Sequence, residues 1–160
     1  MFHQNMMVSV LIVVLLALFV SANAAGTTSI LESFSKAWND HDVEKLLTFM
    51  ADDAVFHMAA GPDLYGRTVQ GIDELRKTFK ATFETFPDAQ WVDAMHFLSA
   101  DKNRGITEST FKATKTNPDG TKSRIEARMV DVITFDRGGK IIVKNAYRKD
   151  RPPVSVPKDL

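Results

Sequence analysis

The sequence predicts an α+β domain, a cone-shaped α+β barrel in which three amino-terminal helices pack into a curved antiparallel or mixed β-sheet. Three observations predict it. Apolar stripes of helical period fill the first half of the chain, and long β-prone segments separated by turn signals fill the second. A length of 160 residues suits one core rather than two, so the helices and the sheet have to share it as layers.

The first segment is a leader. No Lys, Arg, Asp or Glu precedes Glu32, and residues 10–20 form an unbroken apolar run followed by Ser21-Ala22-Asn23-Ala24, small residues in an A-x-A arrangement. A short apolar run before such a site is the pattern of a secretory signal peptide. It falls short of the roughly 20 apolar residues of a spanning helix. Residues 1–24 are therefore expected to be removed on export, leaving a secreted or periplasmic protein with no membrane contact. An uncleaved amino-terminal anchor is the alternative.

Ile30, Leu31, Phe34, Ala37 and Trp38 then share one helix face, and Asn39-Asp40-His41-Asp42 breaks it, with His41 expected at the surface. Asp42 suits the N-cap of a second short helix carrying Val43, Leu46, Leu47 and Met50, which Asp52-Asp53 should end. Residues 54–58 read as a short strand. A loop from Gly61 to Gly71 carries Tyr65, Gly66 and Arg67. Ile72, Leu75, Phe79, Phe83 and Phe86 mark a third helix, stopped by Pro87.

Residues 90–100, 104–116, 122–135 and 140–148 read as long strands joined by short turn sequences, Asn117-Pro118-Asp119-Gly120 among them. Such connections dictate antiparallel hairpins, because a parallel return needs a crossover of about a dozen residues. The domain is expected over residues 25–150, and the proline-rich residues 151–160 as an extended tail. A bent sheet wrapped around helices leaves a concave, mostly apolar space of the kind small ligands favour.

Composition excludes several functions. The 20 basic and 20 acidic residues cancel, which disfavours a nucleic-acid binder driven by a basic field. The absence of cysteine removes disulfides, thiolate metal sites and a cysteine nucleophile. His3, His41, His57 and His96 have no metal-ligand spacing, and no phosphate-cradling glycine motif or nucleophile elbow occurs, so neither a metal nor a cofactor is expected.

Taken in order, Ala37-Trp38-Asn39-Asp40-His41-Asp42, Met50-Ala51-Asp52-Asp53-Ala54-Val55-Phe56, Gly66-Arg67-Thr68-Val69-Gln70-Gly71, Phe86-Pro87-Asp88, residues 131–136 and Gly139-Lys140-Ile141 followed by Tyr147 resemble the nuclear transport factor 2-like superfamily. Within it they resemble the SnoaL-like group named for a polyketide cyclase. The resemblance spans residues 28–150 and implies the cone fold. It leaves activity open, since the superfamily holds isomerases, epoxide hydrolases, dehydratases and members without chemistry.

Asp131 shares strand parity with Ala127, Met129, Ile133 and Phe135, so alternation sets it on an apolar face. A carboxyl group there is costly to ionise unless paired, and an unpaired one can donate a hydrogen bond or act as general acid/base. Its position resembles the oxyanion-hole aspartate of ketosteroid isomerases. The competing reading is an Asp paired with Lys or Arg across the sheet. The other isomerase residues do not carry over, because Met58 and Phe34 stand where the resemblance puts the base and a tyrosine. His57, near the mouth of the cone, is the second candidate for proton transfer, although alternation leaves its direction open.

Trp38, Tyr65, Phe79, Phe83, His96, Glu108, Met129 and Tyr147 are candidates to line a ligand site. For Glu108, cross-strand charge pairing is the competing reading; for the aromatics, core or rim packing. The expected ligand is a small polyketide-, terpenoid- or steroid-like molecule. The chain is either a cofactor-free isomerase, cyclase or dehydratase, or a binding module without chemistry. Val130 and Val132 alternate onto the opposite sheet face, where they suggest a homodimer.

Overall fold

The computed structural model describes residues 26–156; the expected leader and residues 157–160 lie outside them. There are three helices, α1 (Thr28–Asn39) and α2 (Val43–Phe49) ahead of the sheet and α3 (Ile72–Thr85) after its first two strands. The strands are β1 (Met50–His57), β2 (Thr68–Gln70), β3 (Gln90–Leu98), β4 (Arg104–Thr116), β5 (Lys122–Phe135), β6 (Ile141–Lys149) and β7 (Val154–Ser155). Among the described residues no helix is long and apolar enough to cross a membrane.

Side chains cap the first two helices. Thr27 accepts from the Ile30 amide at the start of α1, and Asp42 Oδ1 accepts from the Lys45 amide, 2.9 Å away, at the start of α2. The stripe of α1 buries Leu31, Phe34, Ala37 and Trp38; α2 adds Leu46 and Leu47, and α3 adds Leu75 and Phe79. Fully buried leucines and phenylalanines of this kind each contribute about 1.5–3 kcal/mol. Helix α1 lies so close to β4 that a Cβ at Gly105 would stand 2.9 Å from both terminal methyl groups of Leu31.

The sheet runs β2-β1-β6-β5-β4-β3, with β7 added beside β5. All pairings are antiparallel except β1 with β6, which makes the sheet mixed. It is curved and open: β2 and β3 are its free edges, so the cone does not close into a barrel.

Three local differences from the sequence reading have simple causes. Strand β1 starts at Met50, straight after α2, and Asp52 and Asp53 sit exposed inside it, because a register irregularity between Met50 and Val55 lifts them out of the ladder. The Gly61–Gly71 loop contains β2, which pairs with residues 55–57 of β1. In the tail, β7 meets Ser123 and Arg124 of β5 in a two-residue edge bracketed by prolines.

Register divides the sheet residues into two faces. The concave face carries Phe56, Phe111, Met129, Asp131, Lys144 and Ala146 beneath the helices. The convex face carries His57, Met95, Phe97, Ile106, Val130, Val132 and Tyr147.

Candidate functional site

Under the helices the concave face leaves a cavity of about 160 Å³. Trp38 of α1 and Phe86, just past α3, form part of its roof; Phe56, Trp91, Phe111 and Met129 give it an apolar floor. The sequence holds Trp38 in place through its next residue. Asn39 donates from Nδ2 to the Trp91 carbonyl (3.1 Å) and accepts from the Trp91 amide at Oδ1 (2.7 Å), so one side chain pairs with the β3 backbone as another strand would. His41, half-buried rather than at the surface, continues this joint: its Nε2 meets the Ala89 carbonyl at 2.8 Å and its ring stacks on Phe83 at 4.3 Å. Trp38 is thereby set against Phe79 (4.8 Å), Trp91 (5.0 Å) and Phe83 (5.5 Å).

One ion pair stands in this apolar setting. Lys144 of β6 lines the cavity and donates to Asp131 Oδ1 over 2.7 Å, with the two side chains only 4% and 13% exposed. The ammonium also lies 4.5 Å from the Phe56 ring centroid and 5.5 Å from that of Trp38, so its remaining hydrogens face aromatic π clouds. Taking two such charges out of water costs several kcal/mol per ion, which mutual attraction offsets only while both are present. Of the two readings of Asp131, the observed geometry is the paired one.

Asp131 has a polar neighbour along the sheet. Thr107 of β4 is its register partner and is buried, and Thr107 Oγ1 lies 3.0 Å from Nδ1 of His96 on β3. Burial pushes the His96 imidazole below its usual value, against a smaller upward pull from Glu32 on α1. His96 thus shares the concave face with Asp131, one strand beyond Thr107, and is not part of the cavity wall.

Of the other expected residues, Trp38 and Met129 line the cavity. Phe79 and Phe83 pack behind Trp38 in the helix layer. His57 points the other way: it pairs in register with Asn145 on the convex face, takes Thr68 Oγ1 at 3.0 Å and lies beside the exposed Tyr65. Tyr147 is exposed on that face and accepts from Asn145 at 2.9 Å. Glu108, also there, is 3.3 Å from Arg128, the charge pairing that its surroundings suggest.

Lys144 and Arg148, both lining the cavity, are absent from the sequence-derived set. Their signal is hidden by a register slip: Phe135 pairs with Ile141 but Thr134 with Val143, so one extra residue in β6 reverses the alternation. Counting by twos from Ile141 puts Lys144 outside. The slip turns it inward.

A family profile for the SnoaL-like domain matches residues 31–143. The chain belongs to the SnoaL-like family, within the nuclear transport factor 2-like superfamily. No curated protein sequence matches it. Similar solved structures include the epoxide hydrolase/cyclase-like enzyme SalBIII of polyether salinomycin formation, with a TM-score of 0.64 and 18% identity over 76% of this chain and 89% of that one. A polyketide cyclase-like protein from Pseudomonas putida has a TM-score of 0.64 and 15% identity over 78% and 92%. A protein with a cystatin-like fold from Xanthomonas campestris has a TM-score of 0.65 and 16% identity over 78% and 92%. At these identities the likeness is one of fold.

Proposed function

We propose that this chain is an exported small-molecule protein whose cavity holds a largely apolar organic compound and transfers a proton on it without a cofactor, in a cyclisation, isomerisation or dehydration next to a carbonyl. The single observation that carries the reading is Lys144, which stands in the wall of a mostly apolar cavity and is held 2.7 Å from the buried Asp131 behind it. The fold shared with cyclase-like proteins supports it. The volume of about 160 Å³ suits one ring, in line with a cavity of about 150 Å³ that takes benzene. A larger polyketide-, terpenoid- or steroid-like molecule would enter by one ring, with the rest outside.

In the proposed chemistry the Lys144 ammonium hydrogen-bonds the carbonyl oxygen. A proton leaves the adjacent carbon for the Asp131 carboxylate while the C–H electron pair moves onto that oxygen. Lys144 holds the enolate, and Asp131 returns the proton to carbon. His57, on the far side of β1, takes no part. The test is deuterium exchange at the methyl group of acetophenone in heavy water, followed by proton NMR. Expected is exchange above background with the full domain, falling at least tenfold in Asp131→Asn. Equal exchange above background in both would remove Asp131 as the base; exchange no faster than background would leave a binding module without chemistry, and mass spectrometry under native conditions would then show the compound retained unchanged.

The same reading includes self-association. The convex face exposes Met95, Phe97 and Ile106 in a strip beside the ion pairs Glu108–Arg128 and Lys112–Glu126, with the exposed Tyr147 two strands away. An apolar strip flanked by internally compensated charges is complementary to a second copy of itself across a two-fold axis.

A further inference from the structure

The polar groups around the cavity are unbalanced in kind. Lys144 gives one hydrogen to Asp131 and has only aromatic faces for the others. Trp38, a cavity-lining residue 7% exposed, has a buried Nε1 with no acceptor. Arg148 lines the cavity as well. Its Nε is buried and 2.6 Å from Asp150 Oδ1 without the alignment of a hydrogen bond, while its Nη2 donates to Asp150 Oδ2 at 3.2 Å. Asp150 is 61% exposed and its charge is shared with solvent. Thr82, also in the wall, donates its hydroxyl hydrogen to the Thr78 carbonyl.

The wall therefore presents two cations and an unmet N–H, with no carboxylate among its lining residues: Asp131 lies behind Lys144, and Asp150 holds Arg148 from the solvent side. A hydrocarbon leaves those donors unmet, and an amine adds a third cation. A carboxylate brings acceptor lone pairs and one negative charge, and charge-assisted hydrogen bonds to ammonium and guanidinium are the strong ones.

We infer that the cavity selects a small organic acid, an apolar body of about one ring carrying a single carboxylate, which Lys144, Arg148 and the Trp38 indole N–H bind. The inference rests on the reading that the cavity takes a ligand, and it names that ligand's class. With Lys144 engaged by the carboxylate, the acid takes the place of the carbonyl compound and competes with it for the cavity.

The test is calorimetric titration of the domain with benzoate, benzamide, toluene and benzylamine, which share a ring and differ in the polar group. Expected is benzoate at least tenfold tighter than benzamide and toluene, with benzylamine weakest. Lys144→Met should remove the preference for benzoate and keep toluene binding; Trp38→Phe, which deletes only the N–H donor and part of the ring, should weaken benzoate several-fold relative to toluene. Toluene or benzamide binding as tightly as benzoate overturns the inference while the cavity reading stands. No binding by any of the four compounds overturns both. The comparison among ligands on the unaltered protein decides the matter even if a variant does not fold.

Discussion

Removing either member of the Lys144–Asp131 pair leaves the other charged and partnerless among Trp38, Phe56 and Met129. Asp131→Leu alone is expected to cost about 3–5 kcal/mol by urea unfolding, as breaking buried pairs does. Adding Lys144→Met should recover most of that loss, because replacing both charges by apolar groups is often neutral or better. His96 offers a pH-dependent counterpart. Its imidazole is held below the ordinary 6.5 by burial, so the unfolded chain binds that proton more readily than the folded one. Stability should be full above 6.5 and decline as pH falls through the folded value, and His96→Gln should flatten that decline in unfolding curves measured across the range. Asp131 was legible from strand parity alone. Lys144 was not, because the slip in β6 defeats counting by twos; His57 was undecidable, since both faces of β1 offer it apolar neighbours.

At the scale of elements, the joint between α1 and β3 is held by Asn39, whose side chain occupies both backbone groups of Trp91. Asn39→Ala leaves the Trp91 N–H and carbonyl without those partners, at an expected cost of about 1–3 kcal/mol. Quenching of the Trp38 and Trp91 fluorescence by acrylamide should rise with it as the cavity wall loosens. Gly105→Val should be worse than its exposed neighbours tolerate: even a Cβ meets Leu31 at 2.9 Å and Phe135 at 3.0 Å, and overpacking costs about 1–3 kcal/mol. The three helices and the strands 104–116 and 122–135 follow from periodicity and turn residues, which are local signals. What escaped depends on partners distant in sequence. The three residues of β2 are a strand only because β1 is beside them, and the parallel meeting of β1 and β6 has no local mark.

For the whole molecule, the convex face decides the assembly. Light scattering at micromolar concentration is expected to give a dimer, and Phe97→Glu with Ile106→Glu a folded monomer whose unfolding midpoint, unlike that of the unaltered protein, does not vary with protein concentration. A monomer in the unaltered protein removes the self-association reading and leaves the cavity untouched.

Strand β6 has a consequence for how the chain is made. It lies between β1, the first strand to be synthesised, and β5, so the hairpin of β1 and β2 cannot join the rest of the sheet until residues 141–149 have emerged. No amino-terminal fragment can therefore lock into the native arrangement early. A polypeptide whose sheet waits for its far end stays threadable while it is being made.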